Sequence, residues 1–183
     1  MNQTARYAPG LLIAVPQLLD PNFFHAVVLL IEHSADGAMG LTINHPTDQS
    51  VGSLYKQMGR PWHGGDPPPL MRGGPVQPEH AWIIHGPECA AGSRNQITDD
   101  IYLNTSLDAL DELAKNSLPF RFLFGYAGWG PGQLDREIQE GTWIISTADG
   151  DLVFRTPLET IWERALRSMG IDPAMLVMGK GIH

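Results

Sequence analysis

The chain has 183 residues, 43% hydrophobic and 17% charged, with a formal net charge of −8. That size and balance suit one soluble globular domain with a sizeable core, and the 20 glycines and 15 prolines call for many turns. An acidic domain without a basic run is a poor vehicle for duplex DNA, whose binding draws on phosphate neutralisation, so direct DNA binding is not expected. Cys89 is the only cysteine, which excludes an intramolecular disulfide and the multi-cysteine metal motifs. No leader pattern is present, and no apolar run reaches the ~18 residues of a spanning helix, so cytoplasmic residence away from membranes is the expectation.

Residues 1–9 read as a short polar tail, and Leu11 to Val15 as a strand. Asp20-Pro21 has the chemistry of a helix cap followed by a first-turn proline, enough for one short turn. The longest apolar run, Ala26 to Ile31, leads through the turn residues Ser34 to Gly37 into Met39 to Ile43, a hairpin. Because residues 26–31 are apolar on both faces, that strand belongs in the middle of a sheet covered on both sides. Ser50 caps a helix whose Val51, Leu54, Tyr55 and Met58 share one face, with Gly59 and Pro61 as its stop. Residues 60–69 form a proline- and glycine-rich loop, and Arg72 to Val76 a glycine corner. Ala81 to His85 is a strand, residues 86–98 are irregular, and Ile101 to Asn104 is another strand. Thr105 or Ser106 caps a helix carrying Leu107, Leu110, Leu113 and Ala114 on one face.

The stretch from Phe120 to Ile144 reads as strand, glycine turn, short helix and strand. Phe120, Phe122 and Phe124 recur at period two. Gly125, Gly128, Gly130 and Gly132 then interleave with Tyr126, Trp129 and Pro131. Leu134 and Ile138 share a helix face, and Gly141 is its stop. The spacing matches neither the dinucleotide nor the P-loop fingerprint, and a turn without serine is no nucleophile elbow. A tight corner with aromatic rings over the glycines is favoured over an anion cradle. Thr142 to Thr147 and Leu152 to Arg155 form a second hairpin around Ala148-Asp149-Gly150. Thr156 to Glu159 is a capping box for a helix burying Leu158, Ile161, Trp162, Ala165, Leu166 and Met169, and Asp172-Pro173 opens a last turn. Strands outnumber helices about two to one, and hairpins mix with strand–helix–strand links, which predicts one α+β domain with a mixed, strongly twisted or partly closed sheet and flanking helices.

Three blocks carry a family resemblance: GLLIAVPQLLDPNFFHAVVLLIEHSADGAMGLTINHP, RGGPVQPEHAWIIHG and GYAGWGPGQLDREIQEGTWI. In this order they resemble the AlgH/YqgE family of bacterial proteins, over roughly Pro9 to Gly170. The resemblance implies a one-domain α+β fold with a barrel-like mixed sheet and, through the AlgH name, a role in transcriptional regulation. It carries over no catalytic residues. The ending Met178-Gly-Lys-Gly-Ile-His183 departs from the family's Gly-His-Ala-like tail, so no role is transferred to it.

None of the seven histidines falls in a metal-ligand spacing, and no metal or cofactor is expected. His33 and His45 flank one hairpin and could meet near its open end with Glu32 or Asp36. Asn44, Gly73, Gly74, His85, Tyr126 and Trp129 lie at predicted strand ends, where polar groups and glycines often line a pocket. Asn44 suits a bidentate amide contact, His85 a proton or hydrogen bond, and Trp129 a stacking wall. The residues point to a binding or regulatory domain for a small molecule or protein partner. A transcriptional regulator and an enzyme using His85 or His45 as acid–base are the alternatives.

Overall fold

A computed structural model describes residues 7–178. Its elements, in chain order, are β1 (Gly10–Ala14), β2 (Val27–Ser34), β3 (Gly37–Thr42), β4 (Pro46–Ser50), α1 (Val51–Gln57), β5 (Pro69–Arg72), β6 (Val76–His85), β7 (Asn95–Thr98), β8 (Ile101–Asn104), α2 (Leu107–Lys115), β9 (Phe120–Trp129), α3 (Gln133–Gln139), β10 (Trp143–Ser146), α4 (Gly150–Arg155), α5 (Ile161–Ser168) and α6 (Pro173–Met178). The expectations for residues 1–6 and for the C-terminal tail, residues 179–183, lie outside the described residues.

The sheet runs β10-β1-β2-β3-β9-β6-β8-β7, with β5 paired to β9 and β4 to β5. All pairs are antiparallel except β5–β9, so the sheet is mixed, and it curls into a half-barrel in a single α+β domain. β2 sits inside it, as its two-faced hydrophobicity requires. Val27 and Leu29 join a core shared with α5, while Val28 and Leu30 join one shared with α3. All four side chains are fully buried, and each contributes about 1.5–3 kcal/mol. A third core lies under α1 and α2, around Tyr55, Leu110 and Phe122.

The caps at Ser50 and Ser106 form as read, their hydroxyls accepting from the N–H groups of Ser53 and Asp108. Asp172 likewise caps α6 through Ala174 N–H. Met58 and Leu107, expected on apolar faces, are each 39% exposed, because both stand at helix ends beyond the packed turn.

Several expectations are corrected. The strand from Phe120 does not stop at a glycine turn; β9 continues through Gly125 and Gly128 to Trp129. Glycine inside a strand marks a bulge, a tight bend or a close backbone approach. Gly125 has φ of 76° and lies against Gly74 O, so no side chain fits there. The turn proper is residues 130–132. The second hairpin is absent, because residues 150–155 are α4. Asp149 caps this helix through Asp151 N–H, and Gly150 N–H donates to Asp100 Oδ2 at 2.8 Å. Arg121 on β9 then donates twice to Val153 O, at 3.1 and 3.3 Å, fixing α4 to the sheet. The capping box at Thr156 does not form: Leu158–Thr160 is a 3-10 turn, and α5 starts at Ile161 without a side-chain cap. Strand β7 appears within residues 86–98, read as irregular, and β4 and β5 appear where no separate strand was read; all three are short, and β4 and β7 are largely exposed with irregular pairing.

Candidate functional site

A cleft of about 650 Å³ lies at the turn end of the β2–β3 hairpin, between that hairpin, β6 and β9. Two irregularities of pairing create it. In β2 the register slips between Leu30 and Glu32, so Leu30 pairs with Gly40 but Glu32 with Met39. Such a bulge shifts the side-chain alternation by one residue. Glu32 and Ser34 therefore face the cleft, while His33 turns to the other side and meets Asp135 of α3 at 3.2 Å. In β6 the register breaks between Val76 (opposite Tyr126) and Ala81 (opposite Phe124). Residues 77–80 arch outward, helped by the positive φ of Gln77, and carry Gln77 and His80 into the wall.

An aromatic row follows from this geometry. The His80 ring lies 4.5 Å from that of Trp82, and Trp82 meets Tyr126 edge-on at 6.5 Å. Trp82 and Tyr126 are half-buried, their apolar bodies resting on the core. Glu32 and Asp36 add two carboxylates to the lining, which among the described residues contains no lysine or arginine. Asp36 is placed by the tight turn, in which its N–H donates to Ser34 Oγ at 3.1 Å.

The sequence-derived candidates fall in three places. Tyr126 and Trp129 both border the cleft, but three residues apart on a strand they face opposite ways. The Trp129 ring is 6% exposed and packs at 6.3 Å on Phe23 and 5.9 Å on Trp143. Gly73 and Gly74 lie where the chain crosses β9: Gly73 N–H donates to Phe124 O at 2.7 Å and Thr42 N–H to Gly73 O at 2.8 Å. A Cβ on Gly74 would strike the backbone of Tyr126, so this glycine sets how closely the crossing supports the cleft.

Asn44 is at the opposite end of the hairpin. Its Oδ1 accepts from Val27 N–H at 2.9 Å and its Nδ2 donates to His25 O at 2.8 Å, a bidentate amide contact made to the protein's own backbone. His85 pairs with Phe120, six residues along β9 from Tyr126, or about 20 Å away. It is fully buried, with Nδ1 donating to Gly86 O at 2.7 Å and Nε2 3.3 Å from Asn104 Nδ2.

His33 and His45 do not meet: His33 is beside the hairpin turn, whereas His45 follows the far end of β3. Among the described residues no group of three or more His, Cys, Asp or Glu side chains converges as a metal site. At that far end Arg72 N–H donates to His45 O, its guanidinium donates to Asn22 Oδ1 at 2.8 Å, and His45 Nε2 donates to Phe24 O at 3.0 Å. Burial lowers the His45 pKa, with Phe24 O opposing and Arg72 adding to the shift. His25, at φ 49°, is sandwiched between Phe24 and Trp162 with ring centroids 4.1 and 4.0 Å away. Its pKa is also lowered by burial, against the pull of Glu163. Gln77, His80 and Trp82 are absent from the candidates read in the sequence, where the alternation of His80 with Trp82 is the only signal, and Glu32 and Asp36 enter it only as partners for His33 and His45, not as cleft residues.

These features define a single-domain α+β half-barrel with an open, acid-rimmed aromatic cleft of small-molecule size. No helix among the described residues is long and apolar enough to cross a membrane. The chain belongs to the AlgH-like family, whose model matches residues 11–174. It is 41% identical to a UPF0301 protein of Myxococcus xanthus, over 96% of this chain and 98% of that one. A UPF0301 protein of Vibrio cholerae is 37% identical, over 93% and 95% of the two chains. Among solved structures, the AlgH protein of Pseudomonas aeruginosa superposes with a TM-score of 0.71 at 29% identity, over the whole of both chains. A Corynebacterium diphtheriae protein shares the fold, with a TM-score of 0.75 at 21% identity over 96% and 94%.

Proposed function

We propose that this protein is a binding module whose cleft between the β2–β3 turn, β6 and β9 receives a small molecule, or a partner's side chain, with a cationic head and an apolar body. The observation that supports this is the lining: the half-buried rings of Trp82 and Tyr126 and the carboxylates of Glu32 and Asp36, with no lysine or arginine among the described lining residues. Aromatic faces attract cations through their quadrupole, by about 0.5–2 kcal/mol per contact depending on desolvation. Carboxylates at the mouth add attraction that salt screens. In this reading Tyr126 touches the ligand, Gly73 and Gly74 hold the crossing beneath it, and Asn44, His85 and Trp129 keep the frame.

Regulation would follow from a partner sensing whether the cleft is filled. Direct reading of duplex DNA is disfavoured by the net charge of −8. The test is titration with N-acetyl-arginine amide and spermidine, against N-acetyl-citrulline amide as a neutral isostere, followed by indole and phenol resonances. The cationic probes should move Trp82 and Tyr126, and Glu32→Gln with Asp36→Asn should weaken them about tenfold. Equal binding of the neutral isostere, or shifts away from the cleft, would refute the reading.

A further inference from the structure

A second groove, about 580 Å³, lies between α4 and α5, remote in kind from the acidic cleft. Three of the chain's nine arginines line it: Arg155 from the last turn of α4, and Arg164 and Arg167 from α5. The packing of α5 accounts for their direction. Ile161, Trp162, Ala165 and Leu166 take the buried side, so Arg164 and Arg167 share the opposite face three residues apart.

What the arginines do elsewhere makes this trio distinctive. Arg60 pairs with Asp111, Arg72 with Asn22, Arg94 with two loop carbonyls and Arg121 with Val153 O. Arg136 is exposed and is likewise in no ion pair among the described residues, but it lies on α3 and does not line this groove. Among the described residues Arg164 and Arg167 form no ion pair, although Glu163 precedes Arg167 by the four residues that usually favour one. Arg155 pairs with Asp151 at 3.2 Å, but both side chains are more than 70% exposed, and such a contact yields readily to a better partner. Asp149 is spent on its cap, and the Ser168 hydroxyl donates to Ala165 O. The groove thus offers unspent guanidinium forks, each with five N–H donors in a plane that matches two oxygens of a phosphoryl group.

We infer that this groove binds a short phosphorylated small molecule, its adjacent phosphoryl groups held by Arg155, Arg164 and Arg167. Asp149 and Asp151 also line the groove, and with the chain's net charge of −8 they disfavour the further phosphates of a polymer. The volume suits a small ligand.

The experiment is calorimetric titration of the full chain with inorganic pyrophosphate and, separately, a nucleoside diphosphate, with arginine Nε–Hε resonances recorded alongside. Both should shift Arg155, Arg164 and Arg167 and leave Arg60, Arg94 and Arg121 in place. Arg164→Gln with Arg167→Gln, both at exposed positions, should keep the fold by circular dichroism and cut affinity roughly 10- to 100-fold, the loss expected for charge-assisted hydrogen bonds. Tighter binding of the nucleoside diphosphate would assign the ligand a base as well as its phosphates. Absence of the three shifts, or unchanged affinity in the double variant, overturns the proposal. Equal shifts from sulfate at the same concentration mean an adventitious ion only, which also overturns it. Binding of a single-stranded oligonucleotide more tightly than pyrophosphate overturns the restriction to a short anion.

Discussion

Gly74→Ala tests the crossing beneath the cleft. Gly74 does not need a positive φ; it needs space. An alanine Cβ there would overlap Tyr126 C, Tyr126 O and Ala127 N, all backbone atoms of β9 that no rotamer change can clear. The corner and the strand must therefore separate. Separation strains Gly73 N–H to Phe124 O (2.7 Å) and Thr42 N–H to Gly73 O (2.8 Å), which join β9, the corner and the end of β3. Each bond is worth about 1 kcal/mol net, and overpacking adds about 1–3 kcal/mol, for a loss of about 3–5 kcal/mol. In a domain of this size that lowers Tm by roughly 6–20 °C. Gly132→Ala is the control: its φ is +71°, yet nothing lies within 4 Å of the added Cβ, so only the conformational cost of about 1–2 kcal/mol applies. Urea unfolding followed by tryptophan fluorescence measures both variants, with the m-value checking that the transition is unchanged. If Gly74→Ala loses no more than Gly132→Ala, close backbone approach does not govern this position and the account of β9 is wrong.

Asn44→Ala removes both bonds tying the hairpin base to residues 25–27, leaves Val27 N–H without that acceptor, and should cost about 2–4 kcal/mol by urea denaturation; a change under 0.5 kcal/mol would refute the strut. Cys89 is fully buried, and its thiol pKa is pushed up chiefly by burial, with Glu112 adding and the backbone at Ala91 and Arg94 opposing. Labelling by a thiol disulfide reagent at pH 8 should then follow local or global opening; labelling as fast as a free peptide cysteine contradicts this burial. The Glu137 carboxyl, beside Trp143 and Trp129, has its pKa raised first by burial, against those indoles. Between the ordinary glutamate value, about 4.5, and this raised one, the native state binds more protons than the unfolded chain, so stability falls as pH rises through that window. Glu137→Gln should flatten that slope and raise Tm at pH 7; an unchanged Tm–pH profile would exclude the linkage.

Local chemistry was enough for part of this molecule. The two-faced apolar run of β2 requires an interior strand, because water is excluded from both sides only there. Ser50, Ser106 and Asp172 satisfy orphan N–H groups within a few residues of themselves, so their helices start where the residues say. The blocks around Asn44, Gly73 and Gly125 carry the family and with it the α+β half-barrel. Tertiary structure decided the rest, wherever the deciding partner is distant in the chain. Gly125 reads as a turn until Gly74 is laid across it. Residues 150–155 read as a strand until Asp100 and Arg121, from β8's start and β9, hold both ends of a helix. The cleft depends on bulges in β2 and β6, and a bulge is a mismatch between two strands that neither strand encodes alone. That is why Tyr126 could be picked out from its own segment, whereas Glu32, His80 and Trp82 became its neighbours only once the sheet had closed on a shifted register.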